Sequence, residues 1–127
     1  MKKILTILLI LCSLNSVSQS RLGFTYDEIY NEFPDKVTNF EFRQNILLKF
    51  EFFELYHVFD KNGYCYLSTV FVSDVKSAQY FINKYNTEMV TISKGNWAFV
   101  EEGFNIYCEQ TYSEEIDRVM FIWKYDQ

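Results

Sequence analysis

The residues with the most obvious chemistry are the single histidine, His57, and a nearby cysteine, Cys65. A thiol held beside an imidazole can form a nucleophilic thiolate. The segment Asp60-Lys61-Asn62-Gly63 between them is typical of a hairpin turn, because asparagine and glycine tolerate positive φ. Such a hairpin brings Cys65 close to His57 but, by strand alternation, onto the opposite face of the sheet. We therefore predict a structural or surface role for His57.

Three pairs of carboxylates are candidates for acid–base catalysis. They are Glu51/Glu54, Glu101/Glu102 and Glu114/Glu115. A glycosidase needs two carboxyl groups that face one sugar at about 5 to 10 Å. Glu101/Glu102 and Glu114/Glu115 fall in predicted turns, where neighbouring side chains point apart. In a strand, Glu51 and Glu54 would lie on opposite faces. A lone histidine cannot build a His-rich zinc site, and no calcium loop, phosphate loop or nucleophile elbow is present. The sequence predicts no catalytic residue, no metal site and no cofactor.

We expect Cys65, Leu67, Thr69 and Phe71 to lie on one face of a strand, with Tyr64 and Tyr66 on the opposite face. If helices cover the Cys65 face, both rings lie on the open face of the sheet, and Tyr56 on the adjacent strand extends them. Such a platform can stack a sugar ring or pack against a protein. Ordinary cross-strand pairing of tyrosines on a solvated sheet is the alternative.

Two helices frame these residues. Thr25-Tyr26-Asp27-Glu28 is a capping box, so a helix should begin there, and Pro34 should end it at Phe33. Ser73 or Asp74 should cap a second helix that stops near Asn86. Its apolar face comprises Val75, Ala78, Phe81, Ile82 and Tyr85.

Strand-like runs fill the rest of the chain: Val37–Arg43, Ile46–Phe59, Tyr64–Val72, Met89–Val100 with a break near Gly95, Phe104–Gln110 and Arg118–Tyr125. Because turns link these runs, we predict an α+β domain with two helices packed on one face of a mostly antiparallel sheet of about six strands. In the last strand, Trp123 shares the helix side with Phe121, while Ile122 faces the other side. The two halves look alike in plan.

The N-terminus predicts export. Lys2 and Lys3 precede an apolar run, and Ser16 and Ser18 suit the signal peptidase, so residues 1–18 are interpreted as a signal peptide cleaved before Gln19. The run is too short for a permanent transmembrane anchor. The alternative is a lipoprotein cleaved before Cys12, but a leucine stands where a small residue is needed. Residues 19–127 then form a single α+β domain in the periplasm or outside the cell.

The amino-acid composition limits the classes of molecule that the protein can bind. The formal net charge is −5, with no basic stripe, so nucleic acid binding is excluded. Aromatic residues make up 20 % of the chain, which favours an aromatic-rich core. Strand alternation directs the side chains of both Cys65 and Cys108 toward the interior. In an exported protein they can form a disulfide with each other or remain as two separately buried thiols.

After the predicted cleavage site, Leu22-Gly23-Phe24-Thr25-Tyr26-Asp27-Glu28-Ile29 resembles the opening motif of small exported proteins of Bacteroidetes-type bacteria. The resemblance extends to Cys65, Trp97 and Phe121-Ile122-Trp123; it implies export and a shared fold but transfers no activity. Gly23-Phe24-Thr25 and Phe33-Pro34 are also similar to SmpA/BamE-like outer-membrane assembly modules, although the second glycine of those modules is missing here. Beta-lactamase inhibitor proteins use a related helix-plus-sheet plan.

These observations favour a non-enzymatic exported domain that binds a protein or an envelope component through an aromatic sheet face. A glycan-binding or small-ligand module is the alternative. The two differ in shape, because a protein interface is broad and flat, whereas a sugar site needs a groove where a ring lies beside amides or carboxylates.

Overall fold

A computed structural model describes residues 21–101 and 104–125 of the chain. The predicted signal peptide, its cleavage before Gln19, the Cys12 alternative and the turn at Glu102-Gly103 lie outside these residues. Within them, neither helix has the length and apolar character needed to cross a membrane.

The described chain forms one sheet and two α-helices. The helices are α1 (Tyr26–Glu32) and α2 (Val75–Glu88), and a short 3-10 helix, Pro34–Lys36, follows α1. The strands are β1 (Val37–Glu41), β2 (Asn45–Lys49), β3 (Phe53–Phe59), β4 (Cys65–Val72), β5 (Val90–Ser93), β6 (Asn96–Glu101), β7 (Phe104–Ser113) and β8 (Arg118–Tyr125). They are ordered β1-β2-β3-β4-β8-β7-β6-β5, and every neighbouring pair is antiparallel. The α+β class and the antiparallel sheet are confirmed.

The predicted number of about six strands is wrong, because the sheet has eight. The run Ile46–Phe59 divides into β2 and β3 at a tight turn, where Phe50 N donates to Phe53 O at 2.9 Å and the two rings stack at 5.0 Å. The run Met89–Val100 divides into β5 and β6 at Gly95, whose φ is +79°. The β2–β3 turn was missed because it contains no glycine or proline, the residues that normally mark a turn.

The two halves of the chain share one plan. Helix α1 is followed by the meander β1–β4, and α2 by the meander β5–β8, so that β4 and β8 meet at the centre of the sheet. Each helix carries an apolar stripe with the same spacing, Tyr26/Ile29/Tyr30/Phe33 in α1 and Ala78/Phe81/Ile82/Tyr85 in α2. Both stripes pack on the same side of the sheet.

Local capping explains where the helices begin. Glu28 N donates to Thr25 Oγ1 at 3.2 Å and Thr25 N donates to Glu28 Oε1 at 3.1 Å, which is the predicted capping box. In α2, Ser77 N donates to Asp74 Oδ1 at 2.7 Å. Val75, expected on the apolar face of α2, is instead 83 % exposed at its first turn.

The segment before α1 is joined to the start of β4. Gly23 N donates to Cys65 O and Cys65 N donates to Phe24 O, each at 2.8 Å. Gly23 has φ of +86°, and a Cβ there would lie 2.9 Å from the Tyr125 hydroxyl. Glycine is therefore favoured by the positive φ, and a side chain there would also displace the Tyr125 hydroxyl.

A β-bulge changes the phase of β4. Val58 pairs with Leu67 but the next residue, Phe59, pairs with Cys65, so Tyr66 is an extra residue. Beyond the bulge, Ser68, Val70 and Val72 face the helices and are buried. Leu67, Thr69 and Phe71, expected beside Cys65, therefore face the opposite side, and that expectation was wrong.

The core lies between the helices and the sheet and is largely aromatic. Tyr85 of α2 packs edge-on against Trp97, Phe121 and Trp123, with ring centroids 5.2 to 5.4 Å apart. Trp123 is 5 % exposed, and its predicted place beneath the helices is confirmed.

Candidate functional site

The side of the sheet away from α1 and α2 carries an apolar surface, which we call the open face. Its centre is a row of cross-strand neighbours, Leu47, Tyr56, Thr69 and Ile122. Val58, Leu67, Phe71 and Met120 flank this row. All are half-buried except Thr69, which is buried by its neighbours. Within residues 21–101 and 104–125, neither helix covers this face.

Charged side chains border the open face. Arg118 of β8 reaches across β4 to Glu54 of β3, with Nη1 and Oε1 2.7 Å apart. Lys124 pairs in register with Leu67, and Glu109 with Ile122. Both signs are represented, so the face is an apolar centre with a mixed polar rim, which is the usual anatomy of a protein interface.

The three tyrosines of the predicted platform have unequal surroundings. Tyr56 lies in the middle of the open face and is half-buried. Tyr64 and Tyr66 are 50 % and 44 % exposed, and alternation about the buried Cys65 directs both to the open side. The three rings form no aromatic pair with one another. They lie around the aliphatic centre of the open face as separate rings.

His57 and Cys65 lie on the same face of the sheet, contrary to expectation, because the bulge at Tyr66 brings Cys65 onto the helix side. Ser68 completes a buried cluster: His57 Nδ1 is 2.8 Å from Ser68 Oγ and 3.9 Å from Cys65 Sγ. Each of the three is no more than 3 % exposed.

Burial keeps this cluster neutral. Desolvation, with a smaller contribution from Arg21, lowers the pKa of His57 from 6.5 to about 3. Desolvation also raises the pKa of the Cys65 thiol, against the opposing hydrogen bonds from Ser68 and the backbone. A nucleophilic dyad needs the reverse, a lowered thiol pKa and access for substrate. The cluster is therefore structural.

The buried histidine makes stability depend on pH. The unfolded chain binds a proton on His57 near pH 6.5, but the folded chain does so only near pH 3, so lowering the pH between these values favours unfolding. The contribution is at most about 1.4 kcal/mol per pH unit. Urea unfolding at neutral pH and at about pH 4.5 should show a smaller pH effect in His57→Leu than in the wild type. Equal pH effects in the two proteins would contradict the burial of a neutral imidazole.

Cys65 and Cys108 are both buried and both free. Cys108 pairs with Trp123, which pairs with Ser68, so Cys108 is two strand spacings, about 10 Å, from Ser68 on β4. Cys65 lies farther along β4, beyond the ~7 Å Cα separation that a disulfide tolerates. The sequence left open a disulfide or two separate thiols, and in the structure the two cysteines are separate buried thiols.

Two of the carboxylate pairs, Glu51/Glu54 and Glu114/Glu115, lie within the described residues. Glu54 is engaged by Arg118, while Glu51 is exposed in the β2–β3 turn. Glu114 and Glu115 are exposed in the β7–β8 turn, and Glu102 is outside the described residues. Among the residues described, no group of three histidine, cysteine or acidic side chains could hold a metal ion.

The sequence analysis missed the aliphatic centre of the open face. It expected strict alternation along β4, without a bulge, and so placed Leu67 and Phe71 in the core. One signal was available: both sides of β8 are apolar, and Met120 and Ile122 need a nonpolar neighbour of their own.

Comparisons of the chain with protein-family models, with curated proteins and with solved structures give no match.

Proposed function

We propose that this protein is an exported, non-enzymatic domain that binds a protein of the cell envelope through the open face. The observation that carries the proposal is the uncovered row Leu47, Tyr56, Thr69 and Ile122 at the centre of an antiparallel sheet. An apolar sheet surface of this kind, with a charged rim, commonly marks an interaction site.

The composition of the open face favours a protein over a sugar. Its centre offers methyl groups and rings but few amides, and two of the charges at its border, Glu54 and Arg118, already satisfy each other at 2.7 Å. A sugar carries many hydroxyl groups that need hydrogen-bond partners. A protein surface with apolar anchors and a mixed rim meets the face without leaving polar groups unpaired.

The glycan-binding alternative has one feature in its favour. A groove of about 430 Å³ between α2 and β5–β7 is lined by the amides of Gln79, Asn86 and Gln110. Trp97 Nε1 donates to Asn86 Oδ1 at 2.8 Å, which orients that amide. However, Trp97 is only 1 % exposed and offers no stacking face to a sugar. We therefore place this function second.

The exposed tyrosines at one end of the open face test the proposal. Tyr64→Ala combined with Tyr66→Ala should leave stability nearly intact, because both rings are about half exposed. If the face binds the partner captured from an envelope extract of the source organism, the double variant should lose ~2 kcal/mol or more of affinity for it, measured by calorimetry. Tyr112→Ala, on the helix side and 53 % exposed, is the matched control. Unchanged affinity in a folded double variant would exclude the two tyrosines from the interface.

Export is tested separately by mass spectrometry of the protein made in a bacterial host. Ser16 and Ser18 should direct cleavage before Gln19, giving a chain that lacks Lys2 and Lys3. A lipid-modified N-terminus at Cys12 or an uncleaved chain would refute this interpretation.

A further inference from the structure

A second candidate site lies on the helix side, between the β2–β3 turn and the start of α2. It is a groove of about 450 Å³. Phe52 and Tyr80, 56 % and 54 % exposed, stand at its opening, and the more buried Phe53 and Phe81 lie deeper. Small-molecule sites are typically of ~300 to 1,000 Å³ with apolar walls and few polar groups. This groove has the size and the lining of such a site.

The groove is held in shape by its own contacts. Ser73 N donates to Phe52 O at 3.2 Å, which ties the turn to the segment before α2. The Phe81 ring packs edge-on against Phe53 at 5.4 Å and against Tyr80 at 5.5 Å. Phe52 forms no ring pair with any other described aromatic residue. The Phe52 ring, which lines the groove and is more than half exposed, is therefore accessible to a ligand there.

The polar part of the lining favours an anion. Lys76 lines the groove, and within the described part of the chain its ammonium forms no ion pair. The positive end of the α2 dipole lies at the same place. Asp74 is the acid in the lining, and its carboxylate accepts a hydrogen bond from Ser77 N at 2.7 Å as the cap of α2. Hydrogen bonds from Ser77 chiefly lower the pKa of the Asp74 carboxyl, with a smaller contribution from the charge of Lys76. Because Lys76 does not form an ion pair with Asp74, its ammonium can still contact an anionic ligand.

We propose that this groove binds a small planar aromatic carboxylate, with its ring between Phe52 and Tyr80 and its carboxylate at Lys76. Edge-to-face and offset contacts with the surrounding rings favour an aromatic over an aliphatic ligand. The site is on the opposite side of the sheet from the open face, so it stands independently of the proposed protein interface.

The test is a heteronuclear NMR titration of the full protein with naphthoate, naphthamide and cyclohexanecarboxylate. Naphthoate should shift the backbone amides of Phe53, Ser77 and Tyr80. Naphthamide and cyclohexanecarboxylate should bind at least about tenfold more weakly. Lys76→Gln should abolish the preference for naphthoate over naphthamide, and Lys94→Gln should not. Phe52→Ala should weaken naphthoate binding about tenfold, with Phe42→Ala, a similarly exposed phenylalanine beside α1, as its control.

Three results would overturn the proposal. One is the absence of shifts at naphthoate concentrations up to about 10 mM. Another is equal binding of naphthoate and naphthamide, and the third is a set of shifts centred on the open face or on Phe42. Because Phe52 and Lys76 are exposed, their variants should remain folded, and an unchanged amide spectrum away from the groove checks this.

Discussion

Replacement of Trp123 by alanine is expected to lower the free energy of unfolding by about 3 to 5 kcal/mol. The indole is 5 % exposed and packs edge-on against Tyr85 of α2 at 5.2 Å. Truncation leaves a cavity between β8 and α2 that the surrounding rings, including the fully buried Phe121, cannot fill without moving.

Urea unfolding followed by circular dichroism measures this change. Tyr112→Ala is the matched control, because Tyr112 is an aromatic residue on the neighbouring strand that is 53 % exposed, and its loss should cost about 1 kcal/mol or less. A similarly small loss for Trp123→Ala with an unchanged fold would mean that α2 does not pack on β8 as described.

A lysine at Ile122 is expected to abolish partner binding. Ile122 lies at the centre of the open face, with Thr69 and Glu109 as its cross-strand neighbours. A charge there would be desolvated by any protein seated on the face, so affinity should fall by ~3 kcal/mol or more, roughly a hundredfold. The residue is half-buried, so the long lysine stem can lie along the sheet and the fold should persist.

The matched control is Ile116→Lys, which makes the same substitution in the exposed β7–β8 turn. It should change neither binding nor stability. Should Ile122→Lys lower the melting temperature markedly, Leu47→Lys on β2 repeats the test nearer the edge of the sheet. Full binding by a folded open-face variant would contradict the proposed interface.

The helices were predictable because their signals are local. A capping box at Thr25, an aspartate cap at Asp74 and apolar residues at helical spacing each act within a few residues, and the structure places the helices accordingly. The hairpin turn at Asp60 was equally clear, since its carboxylate accepts from the backbone of Asn62 and Tyr64 and Gly63 has φ of +87°.

The missed features carry no signal in the local composition of the sequence. The turn at Phe50 has no glycine or proline, and it forms because Phe50 stacks on Phe53 and packs edge-on against Phe33. The bulge at Tyr66 leaves no mark in composition, yet one extra residue reverses every later side chain of β4. Alternation was still valid for Tyr64 and Tyr66, which precede the phase change, but not for Leu67 and Phe71.

The most direct test of the proposed function is photocrosslinking from the open face. Benzoylphenylalanine would replace Tyr56 at the centre of that face or, as the control, Tyr112, which is on the helix side of β7 and donates a hydrogen bond to Asp117. After irradiation in an envelope extract, we expect a discrete protein adduct from position 56 and none from position 112. An adduct from position 112 alone, or no protein adduct from position 56, would contradict the open face as the binding surface.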